Sequence, residues 1–150
     1  MKIVNKMQHE GASLFKYRGQ MPILLFIIAF PLIEKTSLYH SLSLINLDII
    51  QCTAVLISLI GIILRFYTIA ETPDGTSGRN RNQQIADHLN KTGIYSIVRN
   101  PLYLANFIIW LGISIYSLSY ILVLITSIVF LILYERIIML EENYLLNKYP

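Results

Sequence analysis

Charged residues are scarce in this sequence. Only 14% of its 150 residues are Asp, Glu, Lys or Arg, against about a quarter in soluble globular domains. Hydrophobic residues make up 55%, and the mean hydropathy is +0.56. No charged residue occurs between Ile49 and Leu64 or between Asn100 and Tyr134. These observations exclude an ordinary soluble domain and predict that the uncharged stretches lie in a membrane.

Cysteine and histidine are also rare. The single cysteine, Cys52, lies in an apolar run, so an internal disulfide and a thiolate cluster for zinc are both excluded. His9, His40 and His88 are far apart, and none has another ligand type four residues away. We therefore predict no metal site.

Four apolar stretches approach the roughly 17 to 25 residues that a helix needs to cross the hydrocarbon core. Pro22 and Pro31 bound the first, which is short. The uncharged block after Asn100 is about twice one span, so it must fold back as a helical hairpin near 116–120. The predicted fold is therefore all-α, a single membrane-embedded helical bundle with spans at about 19–35, 47–66, 101–116 and 119–135.

Basic residues predict the orientation of these spans. Only Lys35 follows the first span, whereas the other basic residues flank the opposite ends: Lys2, Lys6, Lys16, Arg18, Arg65, Arg79, Arg81, Lys91, Arg99, Arg136 and Lys148. The positive-inside rule therefore places both termini, the loop 67–99 and a C-terminal helix 135–149 in the cytoplasm. The net charge of +3 follows from this topology, and no nucleic-acid partner is expected.

Two further features concern the loop and the helix contacts. Ile85 and Leu89 are four residues apart among polar neighbours, which predicts a short helix on the membrane surface. Gly61 and Gly112 permit close helix contacts, either within one chain or between chains.

The dipeptide Asn100-Pro101 is typical of a helix start. Asn caps free backbone amides, and Pro tolerates the first helical position. Arg99 then stands at a helix N-terminus, where exposed amides and the helix dipole favour a carboxylate or phosphate. The alternative is an arginine that reaches to lipid headgroups beside an ordinary cap.

Acidic residues follow the last apolar stretch. On a continuous helix Glu135 and Glu142 share one face, whereas Glu141 points to another. We therefore expect only one of the adjacent pair to line the same cavity as Glu135. The alternative is a solvated helix end, although acids at a helix C-terminus oppose the dipole.

The stretch 93–105, GIYSIVRNPLYLA, followed by a hairpin, by Glu135-Arg136 and by Glu141-Glu142, resembles the isoprenylcysteine carboxyl methyltransferase family. Phospholipid methyltransferases belong to the same broader group. The resemblance covers roughly residues 71–150. It implies an integral membrane enzyme that uses S-adenosylmethionine at the cytoplasmic membrane surface.

The resemblance also implies roles for the residues of both motifs. The cofactor carboxylate is expected at Arg99, Asn100 and the amides that begin the Pro101 helix, and its ammonium at Glu142 or Glu141. Tyr95 and Tyr103 are expected to pack on adenine or to form hydrogen bonds, unless they are ordinary interfacial tyrosines. Glu135 and Arg136 are the expected catalytic residues.

The chain departs from the family pattern at three places. Asn100 replaces the usual His and cannot become a cation. Ala105 replaces the usual Gly and faces either the cofactor or a neighbouring helix. The family's aromatic and basic tail, which supplies a substrate arginine, has no counterpart before Pro150. The expected acceptor is a prenylcysteine carboxylate, a phospholipid or a glycolipid; the alternative is a truncated or inactive relative that acts as a membrane scaffold.

Overall fold

The part of the chain that the structure describes contains an N-terminal segment (13–20) that is helical at 13–17, four longer α-helices and a short 3₁₀ helix. The computed structural model describes residues 11, 13–36, 38, 43–72, 87 and 89–149. The helices are α1 (Met21–Thr36), α2 (Leu44–Glu71), α3 (Pro101–Tyr116) and α4 (Tyr120–Lys148), and the 3₁₀ helix is Gly93–Ser96. These residues contain no β-strand, so the predicted all-α class is confirmed for them.

Serine side chains begin the two long helices. The Ser43 hydroxyl accepts a hydrogen bond from the Asn46 amide at 3.4 Å, and the Ser119 hydroxyl accepts one from the Leu122 amide at 3.2 Å. Each hydroxyl thereby satisfies one of the amides that a helix start leaves without an intrahelical partner.

The start of α3 differs from the prediction. Asn100 occupies the N-cap position and Pro101 the first turn, but the Asn100 side chain makes no capping hydrogen bond. Its backbone carbonyl instead accepts from the Tyr103 and Leu104 amides, both at 3.2 Å. The proline already fixes the first turn, and the Asn100 side chain lines a cavity instead.

Two of the four predicted spans are long enough to cross a membrane. Among the described residues, only α2 and α4, with 28 and 29 residues, combine sufficient length and hydropathy. The helices α1 and α3 have 16 residues each, about 24 Å at 1.5 Å per residue, against a hydrocarbon core of roughly 30 Å. The structure therefore does not confirm four transmembrane helices.

The helices α2 and α3 pack closely through small residues. A Cβ atom at Gly61 would lie 3.0 Å from the Ala105 carbonyl oxygen, and one at Gly112 would lie 2.7 Å from the Ala54 carbonyl oxygen. Both glycines therefore act within the chain, at the α2–α3 interface. Ala105 is completely buried there and faces the neighbouring helix, not the cavity.

The connection between α3 and α4 lies within the segment where the sequence predicts a turn. Leu118 takes a φ of 58°, and the Ser119 amide donates to the Ser117 hydroxyl at 3.3 Å. The Leu118 carbonyl accepts from the Leu38 amide at 3.0 Å, which ties the end of α1 to this turn. The three-residue connection makes α3 and α4 an antiparallel hairpin.

The apolar surfaces face outward on most sides. Ile27, Ile28 and Phe30 of α1 and Ile63 and Phe66 of α2 expose at least 66% of their surface. Such broad apolar exposure is expected of helices in contact with lipid tails. The predicted surface helix begins at Ile85, which lies outside the described residues, as do His9, His40 and His88.

Candidate functional site

A cavity of about 970 Å³ lies where the N-terminal segment, the start of α1, α2, the 3₁₀ helix, α3 and α4 meet. Its size is at the upper end of typical small-molecule sites, about 300 to 1,000 Å³. The cavity lining brings together every residue that the sequence predicted to bind the cofactor: Tyr95, Arg99, Asn100, Pro101, Tyr103, Glu141 and Glu142.

Arg99 and Glu142 form an ion pair across the cavity wall. The Arg99 Nε atom lies 3.2 Å from Glu142 Oε1, and the two side chains are 73% and 30% exposed. Arg99 directly precedes α3, whereas Glu142 is on the last turns of α4. Two motifs more than forty residues apart in sequence thus present opposite charges at one place.

Glu141 lies deeper in the wall than Glu142. Only 8% of its surface is exposed, and the Tyr103 hydroxyl donates a hydrogen bond of 2.9 Å to Glu141 Oε1. The Tyr103 ring packs on Tyr134, with ring centroids 4.8 Å apart. A buried carboxylate is costly unless it has partners, so Tyr103 both satisfies Glu141 and fixes its orientation.

Tyr95 is held by the end of α2. Its hydroxyl lies 3.2 Å from the Thr72 hydroxyl, and the Glu71 carboxylate accepts from the Ile94 amide at 3.3 Å. Gly93 adopts a φ of 60° beside Glu71, a conformation that glycine takes without steric cost. These contacts fasten the 3₁₀ helix to α2 and position Tyr95 at the cavity.

The expectation that Glu135 lines the same cavity as Glu142 is wrong. Glu135 is exposed on the protein surface, and neither it nor Arg136 lines the cavity. The cavity face of α4 runs instead through Tyr134, Glu141, Glu142 and Leu145. Both Glu141 and Glu142 line the cavity, so the expectation that only one of them does is also wrong. Glu135 is on the same face of α4 as Glu142 but two turns nearer the hairpin turn, where Tyr134 is the α4 residue that lines the cavity.

Several lining residues were not predicted as part of the site. Arg65 donates to the Asn106 side-chain oxygen, and Tyr134 lines the cavity with both of them. Lys16, Arg18 and Trp110 also line the cavity. The sequence signal was Asn106, a polar amide within an otherwise apolar stretch; Lys16, Arg18 and Arg65 were interpreted only as topology charges.

The lining suits an organic ligand with both an ammonium and a carboxylate. Paired opposite charges can exchange their mutual contact for the matching groups of a zwitterion, as charge-assisted hydrogen bonds. Aromatic side chains nearby can pack on a planar ring. Among the described residues, no group of three or more His, Cys, Asp or Glu is arranged to hold a metal ion.

Comparison with known proteins gives one match. A family described as phospholipid methyltransferase matches residues 49–150, which include α3, α4 and most of α2. No curated protein and no solved structure matches the chain.

Proposed function

Because the chain belongs to the phospholipid methyltransferase family, one of the membrane methyltransferases related to the isoprenylcysteine carboxyl enzymes, we propose that it transfers a methyl group from S-adenosylmethionine to a lipid-linked acceptor at the cytoplasmic membrane face. The observation that carries this proposal is the Arg99–Glu142 ion pair on the wall of a cavity. Residues of the stretch 93–105 and of Glu141-Glu142 line this cavity together.

The cavity residues fit the amino-acid end of the cofactor. Arg99, together with Asn100 and the first amides of α3, binds the carboxylate. Glu142 binds the ammonium, because it is already paired with Arg99 and remains partly exposed. Glu141 is buried and engaged by Tyr103, so it acts behind Glu142. Tyr95, fastened to Thr72, packs against the nucleoside part.

When bound, S-adenosylmethionine supplies a methyl group that its sulfonium already activates, so the protein mainly binds and aligns. A carboxylate acceptor is already a nucleophile. An amine or hydroxyl acceptor loses a proton, and Glu141 and Glu142 are the carboxylates that line the cavity. The acceptor enters sideways from the bilayer and is a phospholipid, a glycolipid or a prenylcysteine carboxylate.

Isothermal titration calorimetry of the detergent-purified full chain with S-adenosylmethionine and S-adenosylhomocysteine tests this proposal. Arg99→Ala and Glu142→Ala are each expected to weaken binding by about tenfold or more, as for loss of one charge-assisted hydrogen bond. Lys91→Gln and Asp48→Asn are the matched controls, because both residues are exposed and neither lines the cavity.

The calorimetry also distinguishes an enzyme from the alternative, a non-enzymatic membrane scaffold. If the folded wild-type chain binds neither ligand, the cofactor proposal fails and the chain is a non-enzymatic membrane scaffold. If Arg99→Ala and Glu142→Ala bind as well as the controls do, the cofactor site lies elsewhere.

A further inference from the structure

The cavity carries more positive charge than the cofactor site requires. Its charged lining residues are the cations Lys16, Arg18, Arg65 and Arg99 and the anions Glu141 and Glu142. Four positive charges minus two negative charges leave a net charge of +2 among the described lining residues. The amino-acid end of S-adenosylmethionine is neutral overall and its sulfonium is cationic, so the cofactor does not balance this excess.

Arg18 and Arg65 line the cavity together with Asn106 and Tyr134. Arg18 and Tyr134 also line a small adjoining cleft together. Asn106 accepts from Arg65. Arg18 also donates to the Phe15 carbonyl at 3.1 Å and lies 3.9 Å from the centre of the Phe15 ring. These contacts orient Arg65 towards Asn106 and Arg18 towards Phe15.

An apolar path adjoins this group of cations. Pro22, Ile23, Ile109 and Trp110 line the same cavity. Ile23 is also 51% exposed at the outer surface. The Trp110 ring packs on Phe26 of α1, with centroids 5.0 Å apart. A hydrocarbon chain anchored among the cations can therefore lie against Ile23 and Trp110.

We propose that Lys16, Arg18 and Arg65, here called the cationic edge, bind the anionic group of the lipid acceptor together with Asn106 and Tyr134. The inference rests on the proposed function and names the part of the same cavity that receives the acceptor. Lys16 and Arg18 precede the matched family range 49–150, so the N-terminal segment contributes to acceptor selection. A phosphate and a carboxylate share the chemistry that guanidinium groups recognise.

The competing interpretation is that these cations reach outward to lipid headgroups anywhere on the membrane surface. The two interpretations differ in location. Binding at the cationic edge places an alkyl chain beside Trp110, the single tryptophan of the chain. Headgroup contact on the outer surface leaves Trp110 unaffected.

Trp110 fluorescence of the full chain in neutral detergent provides the test, with dodecyl phosphate, dodecanoate and inorganic phosphate as probes. A saturable change in Trp110 fluorescence is expected with a dodecyl anion and not with inorganic phosphate. Whichever of dodecyl phosphate and dodecanoate binds more tightly identifies the charged group of the acceptor. Equal affinity for inorganic phosphate would overturn the proposal, because the site would then recognise a free anion.

The variants locate the binding. Lys16→Gln and Arg65→Gln are each expected to weaken binding of the dodecyl anion by about tenfold. Arg65→Lys is expected to retain more affinity than Arg65→Gln, because it keeps the charge. Lys91→Gln removes the same charge as Lys16→Gln from an exposed residue outside the cavity. Equal effects of Lys91→Gln and Lys16→Gln would overturn the proposal in favour of general surface attraction.

Binding of S-adenosylhomocysteine to the same proteins separates this inference from the proposed function. The cationic-edge variants are expected to keep it. If the wild-type chain binds S-adenosylhomocysteine but no dodecyl anion, this inference is wrong and the proposed function stands. If the chain binds the dodecyl anion but not S-adenosylhomocysteine, the cofactor proposal is wrong and the anion site stands.

Discussion

The Tyr103 hydroxyl of α3 donates a hydrogen bond of 2.9 Å to the buried Glu141 carboxylate of α4. This contact joins the two helices of the hairpin at the base of the cavity. Glu142, the next residue, is paired with Arg99. The orientation of one buried carboxylate therefore determines where its neighbour presents charge to a ligand.

Tyr103→Phe is expected to lower the stability of the protein by about 1 to 3 kcal/mol, because it leaves the buried Glu141 carboxylate without this donor. The thermal unfolding midpoint in detergent, followed by circular dichroism, measures the change. Tyr116→Phe removes an exposed hydroxyl on the same helix and serves as the control. Equal midpoints for the two variants would argue against a stabilising role for the Tyr103 bond.

Arg99→Ala is expected to impair ligand binding far more than stability. The Arg99 side chain is 73% exposed, and ion pairs at such positions contribute about 0 to 1 kcal/mol. Unfolding midpoints should therefore stay close to wild type while S-adenosylhomocysteine binding weakens by about tenfold or more. A double variant with Arg99→Glu and Glu142→Arg reverses the pair; recovery of full binding in it would contradict the assigned orientation.

Gly93→Ala is expected to weaken cofactor binding through Tyr95. Its Cβ would lie 2.8 Å from the Glu71 side-chain carbon at a φ of 60°, so both the left-handed backbone and the Glu71 contact oppose it. Calorimetry of S-adenosylhomocysteine measures the loss. Adding Glu71→Ala should relieve only the contact; complete rescue would show that the backbone conformation is unimportant.

Gly112→Ala is expected to destabilise the α2–α3 interface by about 1 to 3 kcal/mol, since the added methyl group meets the Ala54 carbonyl oxygen and cannot be accommodated without a backbone shift. Thermal unfolding in detergent measures it. Gly19→Ala, whose added methyl group has nothing within 4 Å, should change stability by no more than about 0.5 kcal/mol. A similar loss of stability in both variants would contradict the close packing of α2 on α3 at Gly112.

Cysteine labelling tests the predicted topology, which the lengths of α1 and α3 leave open. In a Cys52→Ala background, Tyr116→Cys at the hairpin turn should react with a membrane-impermeant maleimide from the non-cytoplasmic side. Lys91→Cys should react only after the membrane is permeabilised, because the positive-inside rule places its loop in the cytoplasm. Labelling of both positions from one side would exclude α3 as a span.

The hairpin could be predicted because composition and length alone constrain it. An uncharged block twice the length of one span has to turn, and Ser117–Ser119 lies within the predicted segment. The bounds of α1 and α3 also lie within two residues of the predicted spans 19–35 and 101–116. The helices α2 and α4 extend beyond the predicted spans 47–66 and 119–135, because a helix continues past the end of an apolar stretch when polar residues can also be helical.

Two parts of the site could not be predicted from sequence patterns. Helical periodicity relates Glu135 to Glu142 but does not tell which face of α4 turns towards α3; the packing of Tyr134 on Tyr103 decides that. Lys16, Arg18 and Arg65 satisfy the positive-inside rule wherever their side chains point. Only tertiary contacts assign them to a cavity.

By itself, the sequence determined that this is a membrane protein built from helices and which polar residues stand at the ends of its apolar segments. Hydropathy and spacing are properties of local sequence, so they can be evaluated residue by residue. The tertiary structure alone decided that Glu141 is buried on Tyr103, that Glu142 meets Arg99, and that Glu135 is exposed outside the cavity. Those outcomes depend on how helices distant in sequence rotate against one another, because side-chain packing, which no local pattern encodes, sets that rotation.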